Sequence, residues 1–323
     1  MRKPSFTASI AVCSITLWTC GWERAADGTD RGRAAISAAG SKERETLVVD
    51  DDKADCPEAD FTSIQAAVAA AAPGAKIIVC AGTYREQVKV EKNGLAILAD
   101  ADEERGQVVV DAHGHDFGFL VLNASGVTIE GFLVKHAHEA DIFLDHATST
   151  SVRKNVTTAA GHDGIELFAS HDNLIEENVA VDNLAPNACG INVTGGSTRN
   201  VVRQNVLVNN EWGIQIVGAS TLDNAILENK ALRNRGNGIR NIGGASGTVL
   251  EGNRAFHNGL APGALTGTTA AGIRIGSGAR IVVRENHAFD NLLVDLRSDV
   301  AAATFEENRC RTSSPPGLCH DGD

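Results

Sequence analysis

The sequence predicts an all-β protein, a single-stranded right-handed parallel β-helix (solenoid) of roughly eight coils with an N-terminal capping helix. Three observations predict it. A Gly-Ile-x-apolar unit recurs at Gly164-Ile165-Glu166-Leu167, Gly190-Ile191-Asn192-Val193, Gly213-Ile214-Gln215-Ile216, Gly238-Ile239-Arg240-Asn241 and Gly272-Ile273-Arg274-Ile275. An Asn recurs at Asn155, Asn178, Asn205, Asn229, Asn253, Asn286 and Asn308, and from Asn178 to Asn286 a second Asn follows five residues later. Finally, 33 Gly stand against 3 Trp, 1 Tyr and 1 Met, so a bulky aromatic core is excluded.

The Asn spacings of 23, 27, 24, 24, 33 and 22 residues fit one coil of three short strands and three turns. Period-2 alternation turns Ile, Leu and Val inward. Each Asn then stacks on its counterpart about 4.8 Å away, where amides can hydrogen-bond along the ladder. Gly at the strand entry is expected to supply the backbone angles of a sharp corner. A single coil cannot bury its own face, so stability comes from stacking neighbours. A β-sandwich of many short strands would not hold a fixed Asn offset.

The ends of a solenoid expose strand edges and need covers. Thr62-Ser63-Ile64-Gln65 reads as a capping box opening a helix through about Ala72, stopped by Pro73-Gly74. Ile64, Val68 and Ala71 share one face, suited to plugging the barrel mouth. Cys56 and Cys80 flank this helix, and Cys310 and Cys319 close a Pro-Pro-Gly loop at the other end. In an oxidising compartment these read as two disulfides, leaving Cys189 as a buried free thiol.

Residues 1–20 read as an export signal. Arg2 and Lys3 form a basic start, and the uncharged run from Phe6 to Trp18 is shorter than the about 20 residues a bilayer span needs. Leu17-Trp18-Thr19-Cys20-Gly21 has the form of a lipobox, which would lipidate Cys20; ordinary secretion and a retained anchor are the alternatives. Residues 21–45 read as a flexible tether. The solenoid follows over 46–323: cap and first coils at 46–116, repeat coils at 117–308, C-terminal cap at 309–323. The expected setting is extracytoplasmic, secreted or membrane-anchored by lipid alone, with a monomeric chain.

The chain resembles the pectin-lyase-like superfamily of right-handed parallel β-helices. The segment Asp60-Phe61-Thr62-Ser63-Ile64-Gln65-Ala66-Ala67-Val68 through Gly82-Thr83-Tyr84-Arg85-Glu86 is similar to the opening of pectinesterases, and the later coils resemble copper-accessory and carbohydrate-binding β-helix repeats. The resemblance covers residues 46–323 and implies fold. The catalytic signatures of named families are not matched: Asp141-Ile142-Phe143 lacks its pectinesterase partners, Gly161-His162-Asp163-Gly164 departs from the polygalacturonase segment, and Tyr84, the only tyrosine for an epimerase role, lies in the cap.

The resemblance implies binding along the first sheet, whose outward x position reads Leu120, Phe143, Glu166, Asn192, Gln215, Arg240, Arg274 and Asp295. The five polar rungs from Glu166 to Arg274 span about 19 Å, suited to an extended polymer, although any solvated sheet face is polar. Arg240 and Arg274 would repel as neighbours unless Asp295 or an anionic ligand offsets them. Entering loops supply His136, His138, Glu139, His162, Asp163, Glu211 and Trp212, the last placed to stack on a sugar ring. An excess of 41 acidic over 29 basic residues, net −12, argues against nucleic acid.

Three functions follow. The first is a module binding extracellular polysaccharide or cell-envelope glycan through Asn192, Glu211, Trp212, Gln215, Arg240 and Arg274. The second is a lyase or epimerase on acidic glycan, with His162, Asp163 and Glu166 as catalytic group and the arginines neutralising the sugar carboxylate. The third is a periplasmic metal-handling protein using His136, His138 and Glu139 beside His162 and Asp163. A divalent cation such as calcium is the expected cofactor, if any.

Overall fold

A computed structural model describes residues 44–101, 106–259 and 270–320; the export signal, Cys20 and most of the tether lie outside the described residues. Strands of the described residues stack in parallel into three sheets, one of eleven strands and two of ten. Roughly eight coils is therefore an undercount. The first coils, such as Lys76–Cys80 and Ala96–Asp100, are built from Val, Ile and Ala and precede the first Asn of the repeat. The groove sheet runs from Val88–Val90 to Ser313–Ser314 and contains every Gly-Ile unit.

Inward residues form one continuous core. In the groove sheet Ile142, Leu144, Ile165, Leu167, Ile191, Val193, Ile214 and Ile216 are all fully buried. Each corner between sheets carries an asparagine ladder. In the first, Nδ2 of Asn155, Asn178, Asn205, Asn229, Asn253 and Asn286 donates to Oδ1 of the next coil's Asn over 2.9–3.1 Å, ending on Asn308. The second ladder links Asn183, Asn210, Asn234, Asn258 and Asn291 in the same way. A third, unforeseen ladder joins Asn173, Asn200 and Asn224 at the remaining corner.

The corner backbone departs from expectation. Positive φ falls on the residue before each ladder Asn, as at Glu177, Gln204 and Glu228. The Gly of Gly-Ile is needed for clearance instead. A Cβ on Gly213 would lie 2.2 Å from the Gly238 carbonyl oxygen and 3.0 Å from Asn234 Nδ2. Gly164, Gly190 and Gly238 meet the second ladder in the same way, so glycine there lets the ladder approach the strand.

The cap helix spans Ile64–Ala70, with Ser63 as N-cap accepting from Ala66 N. Its remaining N-terminal amides are satisfied across the chain: Glu86 accepts from Ile64 N, Gln65 N and the Ser63 hydroxyl. Ile64, Ala67 and Val68 are buried against the first coils. Cys56–Cys80 and Cys310–Cys319 are bridged, and Cys189 is free and buried. Two bridges accord with an oxidising, extracytoplasmic compartment.

Candidate functional site

The outward column of the groove sheet is set by register: Leu120, Phe143, Glu166, Asn192, Gln215, Arg240 and Arg274 are successive partners. The next member is Arg297, which pairs with Arg274. Asp295 is thus not in the stripe. It occupies the corner, 2% exposed, and accepts from Asn291 Nδ2, Arg311 N and the Thr312 hydroxyl. In Asp295-Leu296-Arg297, Leu296 takes the Ile place and Asp295 the Gly place, which hides the motif. Asp299 compensates for the missing charge, binding Arg274 over 2.9 and 3.0 Å and Arg297 over 2.7 Å. Burial would raise the Asp299 carboxyl, but these two arginines hold it below the usual range.

His162, Asp163 and Glu166 converge on one strand, Asp163–Phe168, and its entry. Donor atoms of all three lie within 4.8 Å of one another. Asp163 is fully buried. Its Oδ1 accepts from Cys189 N at 2.6 Å, its Oδ2 accepts from Asn192 Nδ2 at 2.9 Å, and His162 Nδ1 lies 2.9 Å from Oδ2. Asn192 in turn accepts from Gln215 Nε2 at 3.1 Å. Asn192 and Gln215 thus orient Asp163, which orients the imidazole.

The hydrogen bond to Asp163 raises His162 to about 8 against the opposing effect of burial. Burial raises Glu166 to about 7, with further repulsion from Asp163 and partial relief from His162. Two adjacent groups therefore exchange protons near neutral pH, as general acid–base chemistry requires. Because each feels the other's charge, they titrate as a pair.

Trp212 and Arg240 lie further along the sheet. The indole is 6% exposed, with the Arg240 guanidinium carbon 3.1 Å above its ring centroid. Gly236 backs the ring: a Cβ there would fall 2.3 Å from Trp212 Cδ1. Trp212 is therefore a platform for Arg240, not an open surface for a sugar. Arg240 is 8% exposed, and its buried Nε has no hydrogen-bond partner. Burial, with Arg274 nearby, lowers it to about 10. Glu211, 4% exposed, leaves Oε1 unpartnered, its other oxygen 4.0 Å from Arg235; burial raises its carboxyl.

Of the loop residues, His138 and Glu139 meet, while His136 turns to Asp111. His136 Nδ1 is 3.0 Å from Asp111, whereas His138 lies 3.4 Å from Glu139 and 3.6 Å from Asp116. Sequence reasoning missed Arg297 and Asp299 because the last coils lose the Gly-Ile signature.

A model for a right handed beta helix region matches residues 78–231. Pectate lyase Pel9A aligns at a TM-score of 0.52 and 16% identity, over 87% of this chain and 82% of that one. The chain folds as a right-handed parallel β-helix. This β-helix is also similar to alginate lyase from Paenibacillus sp. str. FPU-7, with TM-score 0.49, 14% identity and coverage of 86% and 98%. The periplasmic alginate epimerase AlgG aligns at TM-score 0.46 and 16% identity over 75% of the β-helix and 60% of its own chain. No curated protein matches the β-helix by sequence. At these identities the likeness is one of fold.

Proposed function

We propose that this β-helix binds an anionic polysaccharide of the extracellular or envelope matrix along the outer face of the groove sheet. One observation carries the reading. Arg240 is a nearly buried cation with an unpartnered Nε, in register with Arg274 and stacked on Trp212. Withdrawing an arginine from water is costly unless an anion meets it. A uronate carboxylate or a sulfate ester on a glycan supplies that anion bidentately. Asn192 and Gln215 continue the polar face toward Glu166. Trp212 acts through Arg240, and Cys20, if lipidated, would tether the module to a membrane.

A second reading is favoured by the His162–Asp163–Glu166 group, namely that the bound glycan is also turned over by a lyase or epimerase step. Glu166 near 7 would withdraw the proton α to a uronate carboxyl, and protonated His162 would return or donate one. Arg240 stands three rungs from Glu166, about 14 Å. It therefore addresses a sugar beyond the reacting one and does not neutralise the reacting carboxylate.

Titration against a panel of polyuronate, sulfated and neutral oligosaccharides tests the proposal, with absorbance of the unsaturated product followed in parallel. Binding to anionic oligomers alone supports it. Equal binding of neutral oligomers, or none at all, refutes it. Turnover lost in Glu166→Gln with affinity kept would support the second reading.

A further inference from the structure

We infer that the N-terminal cap holds a calcium ion on Asp50, Asp51 and Asp52, a site separate from the groove and independent of the glycan reading. Each carboxylate offers an oxygen, and these atoms lie within 4.8 Å of one another. Asp50 is fully buried. Its Oδ2 accepts from Cys56 N at 2.6 Å, while its Oδ1, also buried, has no hydrogen-bond partner. Asp51 Oδ2 accepts from Thr83 N at 3.0 Å. Asp52 is exposed, and its Oδ1 accepts from Ala54 N at 2.8 Å.

Gly82 makes the cradle. A Cβ there would lie 2.3 Å from Asp51 Oδ1, so any other residue would push the carboxylate out of place. No Lys or Arg forms an ion pair with Asp50, Asp51 or Asp52 among the described residues. Lys53, in the same loop, donates instead to the Ala59 carbonyl at 2.8 Å. Three adjacent carboxylates, one fully buried with an idle oxygen and without a protein cation, call for a bound cation.

The donor chemistry selects the ion. All three side chains offer oxygen, the set that hard cations prefer. Cys56 and Cys80, the nearby sulfurs, are consumed by their disulfide, which leaves a soft transition metal without a thiolate. Calcium tolerates irregular geometry and completes its shell with backbone carbonyls and water, whereas magnesium demands a near-ideal octahedron. The ion would join three pieces of the cap: the strand Thr46–Val49, the disulfide loop and the strand Gly82–Tyr84.

Tyr84, the single tyrosine of the chain, supplies a local probe. Its hydroxyl donates to the Cys80 carbonyl at 2.9 Å and to the Val49 carbonyl at 3.4 Å, immediately before Asp50. The full exported chain, stripped with EDTA, is titrated with calcium by calorimetry and with terbium by sensitised luminescence. One calcium per chain is expected, with a dissociation constant in the ~10⁻⁴–10⁻³ M range of extracellular calcium modules, and calcium should raise Tm.

Terbium should luminesce on excitation of Tyr84 and be displaced by calcium, and Tyr84→Phe should lose the luminescence while keeping calcium binding. Asp51→Asn and Asp52→Asn should each weaken calcium at least tenfold; Asp52 is exposed, so its variant is expected to fold. Glu166→Gln should leave calcium affinity unchanged. The assignment is overturned if wild-type protein binds no calcium up to several times this range, or if Asp51→Asn and Asp52→Asn bind like wild type. It is equally overturned if Glu166→Gln removes the binding, which would place the ion in the groove.

Discussion

Replacing Asn229 by Ala tests the ladder that defines the coils. Asn229 makes four side-chain contacts, all buried. Nδ2 donates to Asn253 Oδ1 at 3.1 Å and to the Val202 carbonyl at 2.8 Å, while Oδ1 accepts from Asn205 N and Asn205 Nδ2 at 3.0 Å each. Asn205 Nδ2 keeps the Ile175 and Arg203 carbonyls, and Asn253 Oδ1 keeps the Asn229 amide. The principal group stranded is Asn205 N, at about 1–3 kcal/mol, with about 0.5–1.5 kcal/mol for each further bond lost. Three such further bonds are lost, so the expected destabilisation is about 2.5–7.5 kcal/mol. Urea unfolding followed by circular dichroism measures it, and hydrogen exchange should show the loss of protection centred on the coils of Asn205, Asn229 and Asn253. Asn308→Ala, at the end of the ladder, should cost less. A change within about 0.5 kcal/mol for Asn229→Ala, the range of an ordinary surface substitution, would refute the reasoning.

Three further outcomes follow. Gly213→Ala should destabilise by at least ~2 kcal/mol because its Cβ meets a backbone oxygen that cannot yield; Gly74→Ala, with open space but φ +84, should cost only about 1 kcal/mol, and equal costs in urea unfolding would contradict the clearance argument. Glu166 rises from 4.5 to about 7 and His162 from 6.5 to about 8, so the folded state holds both protons more tightly. That stability is fully present below the ordinary values and is lost as pH rises through 7 and 8. Glu166→Gln should flatten the stability profile between about pH 4.5 and 7 by ~1–3 kcal/mol after screening, and an unchanged thermal profile would count against the burial of Glu166. Non-reduced peptide mapping should return Cys56–Cys80 and Cys310–Cys319 and a free Cys189, and any bridge to Cys189 would contradict the core.

The coil architecture was legible because Asn at two corners repeats with a fixed offset that only stacked turns require. The third ladder was harder to read, since the corner positions flanking Asn173, Asn200 and Asn224 hold Thr150, whose N donates to Asn173 Oδ1, and Thr248, whose hydroxyl donates to Asn241 Oδ1 instead of continuing the ladder. The role of the strand-entry Gly was misassigned because positive φ and close approach leave the same residue in a sequence. His162, Asp163 and Glu166 were legible as neighbours on one strand. Their anchoring by Asn192 and Cys189 N depends on register with the next coil. The burial of Trp212 was not legible, because whether an indole lies open or beneath an arginine depends on the side chain one rung away.

The central claim is that Arg240 and Arg274 form an anion-recognising face. The most direct measurement is the affinity of Arg240→Gln/Arg274→Gln for a polyuronate oligomer across ionic strength, beside wild type and with Tm recorded. Arg240 forms no ion pair among the described residues and its burial is a cost in the free protein, while Asp299 keeps Arg297 when Arg274 is replaced, so Tm should stay within a few degrees. Affinity should fall at least tenfold, and its dependence on salt should flatten. Unchanged affinity and salt dependence, with a clear loss of Tm, would show that these arginines hold the sheet together with Asp299 and that the glycan face lies elsewhere.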